Sequence, residues 1–99
     1  MPLSETQKKY LRGLGHQLKP TVIVGDSGLT ENLVNEFETT LSHHELIKIK
    51  VRVGDREARD AMIGRLCDDS AATLVQRIGN VALLYRENPD KKKIQLPRR

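Results

Sequence analysis

The sequence predicts an α/β fold with the element order α-β-α-β-α-β-β, a four-stranded mixed sheet and helices packed mainly on one face. Three observations support this prediction: a helix-start signal near the N-terminus, a strict apolar–basic alternation over 47–53, and a Gly-Asn pair between two apolar runs. The 99 residues suit one domain, which we place at 1–97, with a basic tail from about residue 90 that we expect to be mobile in part.

The first helix and the first strand are predicted from short local signals. Ser4 and Gln7 have the spacing of a capping box, and Lys19-Pro20 ends the helix. One face of this helix carries Tyr10, Leu11, Leu14 and Leu18. Because 21–24 is apolar throughout, we expect this strand to be central in the sheet.

The second helix and the second strand follow from two different periodicities. Helical spacing over 31–42 predicts a buried stripe of Leu33, Val34, Phe37 and Leu41. Over 47–53 the period changes to two, with a core face of Ile47, Ile49, Val51 and Val53. The opposite face of this strand carries positive charge at Lys48, Lys50 and Arg52.

The last three elements are predicted from a cap and a turn. Asp55 is a suitable N-cap for a third helix, whose apolar face we assign to Ala58, Ala61, Met62, Ile63 and Leu66. Two strands follow, at 72–78 and 81–85. Only Gly79-Asn80 separates them, which is typical of a two-residue hairpin turn.

A Gly-x-x-Gly loop, formed by Gly25, Asp26, Ser27 and Gly28, lies between the first strand and the second helix. Two glycines three apart allow a tight turn and a close approach of another backbone. Amides at a following helix start suit a phosphate, and GXXG loops of this kind clamp nucleic-acid backbones in KH-type RNA binders. Most isolated GXXG loops are only turns, so the signal gains weight from its strand–loop–helix setting and from the basic chain around it.

The net charge is positive, with 17 Lys and Arg against 13 Asp and Glu, or +4 at pH 7. This balance favours polyanionic partners such as RNA. The basic strand face is the first candidate for phosphate contact, and the first helix extends it with Lys8, Lys9, Arg12, His16 and Lys19. A solvated strand or helix face would show the same residues, and for each helix residue taken alone that is the simpler interpretation. The chain has no Trp and no aromatic cluster on a strand, so we expect recognition of RNA shape and backbone.

Several functional classes are disfavoured by what the sequence contains. Adjacent His43 and His44 point about 100° apart on a helix and cannot form an i, i+4 ligand pair, so we expect no metal and no cofactor. Asp55, Glu57 and Asp60 fit a helix start better than acid–base catalysis, so we expect no enzyme and no small-molecule substrate. A lone Cys67, expected to be buried, and the lack of an apolar leader or membrane segment predict a cytoplasmic protein without a membrane partner.

A family resemblance is carried by motifs spread over almost the whole length. They are Gln7-Lys8-Lys9 with Leu11-x-Gly13-Leu14, Leu18-Lys19-Pro20, Gly28-Leu29-Thr30, the segment 43–48, Asp55-Arg56-Glu57, Leu83-Leu84-Tyr85-Arg86 and the segment 94–98. In this order they resemble the bacterial YhbY-type, single-domain members of the CRM family, named for chloroplast RNA splicing and ribosome maturation.

The resemblance implies a fold like the C-terminal domain of translation initiation factor three, RNA binding, and association with precursors of the large ribosomal subunit. It maps the family's GXXG loop onto Gly25 to Gly28. Asp26 departs from the neutral or basic residues common at that position, and a carboxylate beside a phosphate is repelled by about 1 kcal/mol at 4 Å in water. We therefore expect Asp26 to turn away from the RNA while backbone amides form the clamp.

Together these features predict a monomeric, non-catalytic RNA-binding protein whose partner is rRNA or a large-subunit precursor. The alternative is a protein–protein adaptor whose basic face binds an acidic ribosomal protein or assembly factor.

Overall fold

The computed structural model describes residues 3–98, which form three helices and four strands. In chain order these are α1 (Glu5–Gly15), β1 (Pro20–Val24), α2 (Glu31–His44), β2 (Leu46–Val51), α3 (Arg56–Ser70), β3 (Thr73–Ile78) and β4 (Val81–Tyr85). The predicted fold class and element order are confirmed. Met1 and Pro2 of the predicted domain, and Arg99 of the predicted tail, lie outside the described residues.

The four strands form one mixed sheet in the order β1-β2-β4-β3. The β1–β2 pair is parallel, whereas β4 runs antiparallel to both β2 and β3. The prediction that the first strand is central is therefore wrong, because β1 lies at an edge. Val22 and Val24 are buried on one face, but Ile23 on the other face is 49% exposed.

The main core lies between the sheet and helices α2 and α3. Alternate residues of β2, namely Ile47, Ile49 and Val51, point into it together with Val22 and Val24 of β1. Phe37 and Leu41 from α2, and Ile63 and Leu66 from α3, cover them. The predicted alternation is confirmed from Ile47 to Val51, whereas Val53, predicted on the core face, lies beyond the strand and is half-buried. Two of the three helices share this face.

A smaller core lies on the opposite face of the sheet, beneath α1 and the C-terminal tail. Its buried members are Leu11, Leu46, Val75, Leu83 and Tyr85, with Leu3, Ile94 and Leu96 packed at its border. Gly15 brings α1 close to the sheet, since a Cβ at this position would lie 2.6 Å from a methyl carbon of Leu83. Only part of this face is covered.

Helix starts and the hairpin turn follow the sequence signals. Ser4 and Gln7 form the predicted capping box, and Asp55 accepts a hydrogen bond from the Ala58 amide at 2.8 Å. Gly79 takes a positive φ of 58° at the first position of the two-residue turn between β3 and β4. Each cap or turn joins residues that are only a few positions apart, so it can be predicted from the local sequence.

The apolar faces of α1 and α3 were predicted less well. Leu11 is buried, but Tyr10 and Leu14 on the same predicted face are exposed, since α1 contacts the sheet along a narrow strip. In α3, Ile63 is buried whereas Ala61 is exposed. Helical spacing therefore identified Leu11, Ile63 and Leu66 as buried residues, but the predicted faces were wider than the faces that are buried.

The C-terminal tail is fixed by one buried carboxylate, that of Glu45. This residue follows α2 with φ 64°, and its side chain is fully buried. Its two oxygens accept hydrogen bonds from the backbone amides of Asn88, Lys93 and Ile94 at 2.7 to 2.8 Å. Further along, the carbonyl of Pro97 accepts a hydrogen bond from the Gln7 side chain at 3.1 Å. These hydrogen bonds hold the tail against the domain at Lys93, Ile94 and Pro97, and the partial mobility of the tail stays a prediction.

The hydrogen bonds to Glu45 favour its charged form. Burial by itself raises the pKa of this carboxyl, but the three backbone N–H donors, aided by the positive charge of Lys92, lower the pKa below its ordinary value of 4.5. The pKa of the nearby Tyr85 phenol shifts in the opposite net direction, because the groups near this phenol disfavour its charged form. Desolvation, followed by the negative charges of Glu45 and Glu87, raises the pKa of Tyr85 to about 12.

We predict that Glu45→Gln lowers the free energy of unfolding by about 2–4 kcal/mol at pH 7, because an amide leaves at least one buried backbone donor unpaired. Since the folded-state pKa is lowered, the carboxylate contributes its full stabilisation above about pH 4.5 and loses it as the pH falls through the folded value. Urea denaturation at pH 7 and pH 3 measures both effects. Glu36→Gln, on an exposed position of α2, is the matched control. Equal stability of the two variants at pH 7 would contradict this role for Glu45.

Candidate nucleic-acid interface

The GXXG loop closes a tight turn at the carboxyl end of β1. The Gly28 amide donates to the Gly25 carbonyl at 2.9 Å, and the two central residues, Asp26 and Ser27, are exposed. Gly28 takes φ 69°, a region that glycine enters without a steric penalty. Thr30 then caps α2 by accepting from the Leu33 amide at 3.2 Å. The turn therefore presents its outer backbone to solvent directly before a helix start.

The loop carries little positive charge of its own. The Gly28 amide is used by the turn, and the Thr30 amide donates to the Gly28 carbonyl at 3.1 Å, so neither is available to a ligand. Asp26 is exposed in the turn and Glu31 lies in the first turn of α2. Positive charge at this end of the sheet must come from neighbouring elements.

The adjacent strand β2 supplies that charge. Lys48 and Lys50 are half-buried and point away from the main core, as predicted. Arg52 follows the strand and is exposed, and its amide donates to the Val24 carbonyl at 2.9 Å. This bond fixes Arg52 beside Gly25. The structure thus brings Arg52, and Lys50 opposite Ile23, close to the predicted loop, whereas Lys48 opposes Pro20 at the other end of β1.

The basic residues predicted on the first helix are distributed along it. The helix covers the same face of the sheet on which Lys48 and Lys50 lie. Lys19 precedes Pro20, whose partner in β2 is Lys48, so Lys19 lies at the same edge. Lys8 and Lys9 instead follow Gln7, which binds the tail, and Arg12 is half-buried one turn later. Lys19 is therefore the best placed of these residues to extend the basic strand face.

A second basic cluster at the same end of the sheet was not predicted. Arg56, Arg59 and Arg77 line a cavity of about 320 Å³ beside Gly79. Arg77 pairs with Asp60, and Arg59 donates to the Gly54 carbonyl at 2.7 Å. The cluster is assembled from α3 and the β3–β4 hairpin, which are far apart in sequence. Only the Asp-Arg-Glu motif at 55–57 marked this region beforehand.

The histidines and the cysteine weighed for other chemistry lie away from this end of the sheet, whereas Asp55, Glu57 and Asp60 lie at the start of α3 beside the arginines. His43 and His44 lie in the last turn of α2, where positive charge favours the helix dipole, with ring centroids 5.7 Å apart. Within residues 3–98, no three His, Cys, Asp or Glu side chains are grouped as metal ligands would be. Cys67 is half-buried against the main core, and burial, with a smaller effect from Asp68, raises the pKa of its thiol. In the same part of the chain, no helix is both long and apolar enough to span a bilayer.

Comparisons with known proteins agree with the fold and with the motifs. The family model for the CRS1 / YhbY (CRM) domain matches residues 3–86. A Haemophilus influenzae protein named as an RNA-binding protein is 46% identical over 97 residues, which cover 98% of this chain and 97% of the relative. A Pseudomonas aeruginosa protein, named a probable RNA-binding protein, is 47% identical over 89 residues, covering 90% of this chain and 86% of the relative.

A solved structure shows the same fold. The solution structure of the hypothetical protein SAV1595 from Staphylococcus aureus, described as a candidate RNA-binding protein, superposes with a TM-score of 0.80 at 34% identity. The match covers 97% of this chain and all of that one.

We predict that the two glycines of the loop have separable roles. Gly28→Ala forces a side chain into the left-handed region at φ 69°, so it should lower the free energy of unfolding by about 1–2 kcal/mol. Gly25 has no positive φ, and a Cβ there meets no atom within 4 Å. Gly25→Ala should therefore stay within about 0.5 kcal/mol of the parent. Chemical denaturation of both variants measures the difference, and an equal cost at the two positions would refute this assignment.

Proposed function

Since the chain belongs to the CRS1 / YhbY (CRM) domain family, we propose that it binds structured RNA through the GXXG loop and the basic strand beside it. The names of the relatives from Haemophilus influenzae and Pseudomonas aeruginosa support an RNA partner. The observation that carries the proposal is the hydrogen bond that fixes Arg52 next to Gly25, because it joins the strand of Lys48 and Lys50 to the loop.

In the mechanism we propose, the basic strand attracts the RNA backbone and the GXXG turn positions it. Lys48, Lys50 and Arg52 attract the phosphate backbone, and each contact releases condensed counterions, so binding weakens as salt rises. The GXXG turn then fixes the register of one strand, because a phosphodiester can approach the side of Gly25, where no Cβ stands in the way. Base identity contributes little to this part of the interface.

We predict that Lys48→Glu with Lys50→Glu lowers the affinity for a structured rRNA fragment by at least about tenfold at moderate salt, because each attraction becomes a repulsion. The slope of log affinity against log salt should also become shallower, by about 1.4–1.8 for two lost phosphate contacts. Titrations at several salt concentrations measure both quantities.

Two further variants sharpen this experiment. Arg65→Glu with Lys91→Glu changes the net charge equally, at exposed positions away from the loop, and should keep most of the affinity. Gly25→Asp places a carboxylate where the phosphodiester would approach, and should weaken binding in a folded protein. If both the β2 double variant and Gly25→Asp bind RNA like the parent while remaining folded, the proposed interface is wrong.

We further propose that this RNA is rRNA in precursors of the large ribosomal subunit, with the protein acting as a monomer during assembly in the cytoplasm. The family resemblance of the sequence supports this part of the proposal, and a single thiol, Cys67, fits a reducing compartment.

We predict that the tagged protein sediments in a sucrose gradient at or just below the free large subunit at low salt. Raising the salt should release it, because the attraction is electrostatic. Nuclease treatment before sedimentation separates this function from the alternative, a protein–protein adaptor, whose complex would survive removal of RNA. A protein that stays at the top of the gradient at both salt concentrations would contradict the ribosomal assignment.

A further inference from the structure

The face of the sheet opposite the main core is only half covered. Helix α1 and the tail bury the row formed by Leu46 and Tyr85, together with Leu83. Beyond them the face is uncovered, and its apolar members are unusually exposed for strand residues: Ile78 is 68% exposed and Ile23 49%. Solvent-exposed isoleucines on two strands of one face are a feature that packing within residues 3–98 does not account for.

The strand register shows which side chains share this uncovered region. Directly opposed residues point to the same face. One row, which borders the covered part at the buried Leu83, runs Lys48, Leu83, Gln76. The next row runs Ile23, Lys50, Val81, Ile78. We call this region the open sheet face, and define it by Ile23, Lys48, Lys50, Gln76, Ile78 and Val81. It joins apolar side chains to the two lysines of the proposed RNA interface.

A β-bulge in β3 brings Gln76 to this face. The register shifts between Leu74 and Gln76, so that Val75 and Gln76 both oppose Leu83. In an unbulged strand, Gln76 would oppose Ala82 and point towards the main core instead. Bulges commonly re-aim a side chain in this way. Within residues 3–98, the side-chain amide of Gln76 forms no hydrogen bond, so its N–H donors and its oxygen acceptor remain available to a ligand.

These residues enclose a small cleft. Lys48, Gln76, Ile78, Val81 and Leu83 line a volume of about 230 Å³. This is below the roughly 300 Å³ at which pockets for small-molecule ligands begin, so the cleft suits one planar ring system and not a whole cofactor. Ile78, Val81 and Leu83 form the apolar part of its lining. The side chains of Gln76 and Lys48 supply its polar groups.

We propose that the cleft on the open sheet face holds one unpaired RNA base, while Lys48 and Lys50 bind its flanking phosphates. This inference rests on the proposed function and adds a base-specific contact to it. A glutamine amide can form two hydrogen bonds with the edge of a base, and unpaired bases are the part of RNA that proteins read in this way.

Charge complementarity favours a nucleotide as the occupant. The sheet places β3 about 10 Å from β2, two strand spacings, so the backbone of Gln76 is separated along one face from that of Lys50, which does not line the cleft. An unpaired nucleotide likewise carries a neutral, ring-shaped base at one end and an anionic phosphate at the other. The apolar wall is aliphatic, so the base is held by packing and hydrogen bonds without aromatic stacking.

The test compares two RNAs of equal length and charge: a fully paired duplex, and a hairpin with an unpaired loop. Ile78→Ser and Gln76→Leu keep the net charge, and Ile78 is exposed enough for its replacement to leave the fold intact. Leu74→Ser is the matched control, since Leu74 lies on the same strand and is 40% exposed but opposes Leu84 on the other face. Affinity and salt slope are measured for each pair.

We expect both cleft variants to lose about tenfold in affinity for the hairpin, to bind the duplex like the parent, and to keep the parental salt slope because no phosphate contact is removed. Leu74→Ser should bind both RNAs like the parent. If the cleft variants bind the hairpin unchanged while the parent still binds RNA, the base-binding inference is overturned and the proposed function stands.

Two other outcomes also decide against the cleft. If the variants dissociate a dimer of this chain without affecting RNA affinity, the open sheet face is a protein interface. If the parent binds neither RNA at any salt concentration, the proposed function fails, and the inference that rests on it fails as well.

Discussion

The buried carboxylate of Glu45 is the contact on which the second half of this structure depends. A fully buried charge is costly unless it is hydrogen-bonded, and here three backbone amides of the tail supply those bonds. Because the amides belong to residues 88–94, the carboxylate is satisfied only when the tail lies across the sheet. That position brings Ile94 and Leu96 against Tyr85 and completes the smaller core. Glu45 thus fixes the part of the sheet face that the tail covers, next to the part that α1 covers.

The division of that face allows one small sheet to contribute to stability and also to leave a surface for the proposed binding. Where α1 and the tail pack, Leu46 and Leu83 are buried and contribute to the core. Where they do not, β2 carries the half-buried Lys48 and Lys50, and the edge strands β1 and β3 expose Ile23 and Ile78. A domain of 99 residues buries a smaller fraction of its surface than a large domain does. Apolar side chains that stay exposed on the sheet therefore lower the free energy of unfolding that burial could have provided. A bound partner would offset this cost by covering the region.

Sequence reasoning succeeded where the determining contacts are local. The caps at Ser4 and Asp55, the two-residue turn at Gly79 and the alternation along β2 each depend on neighbours a few residues away. The edge position of β1 was missed because an apolar run looks the same whether one face or both are covered. The docked tail was missed for a related reason: Glu45 bonds to residues 43 to 49 positions later, and nothing in the local sequence marks such a carboxylate.

The loop and the strand were both identified from sequence, but the structure changes how their roles divide. With carboxylates at Asp26 and Glu31, the turn does not attract phosphate by its own side chains, and two of its amides are already bonded. In the proposed interface the attraction comes instead from Lys48 and Lys50, whose half-buried stems lie on the sheet and would lose less rotamer freedom on binding than free surface lysines do. In this proposal the two carboxylates repel a phosphate backbone from the outside of the turn, whereas the side of Gly25 carries no Cβ that would block it. Attraction by the strand combined with repulsion by the loop would then set a register that neither element would set alone.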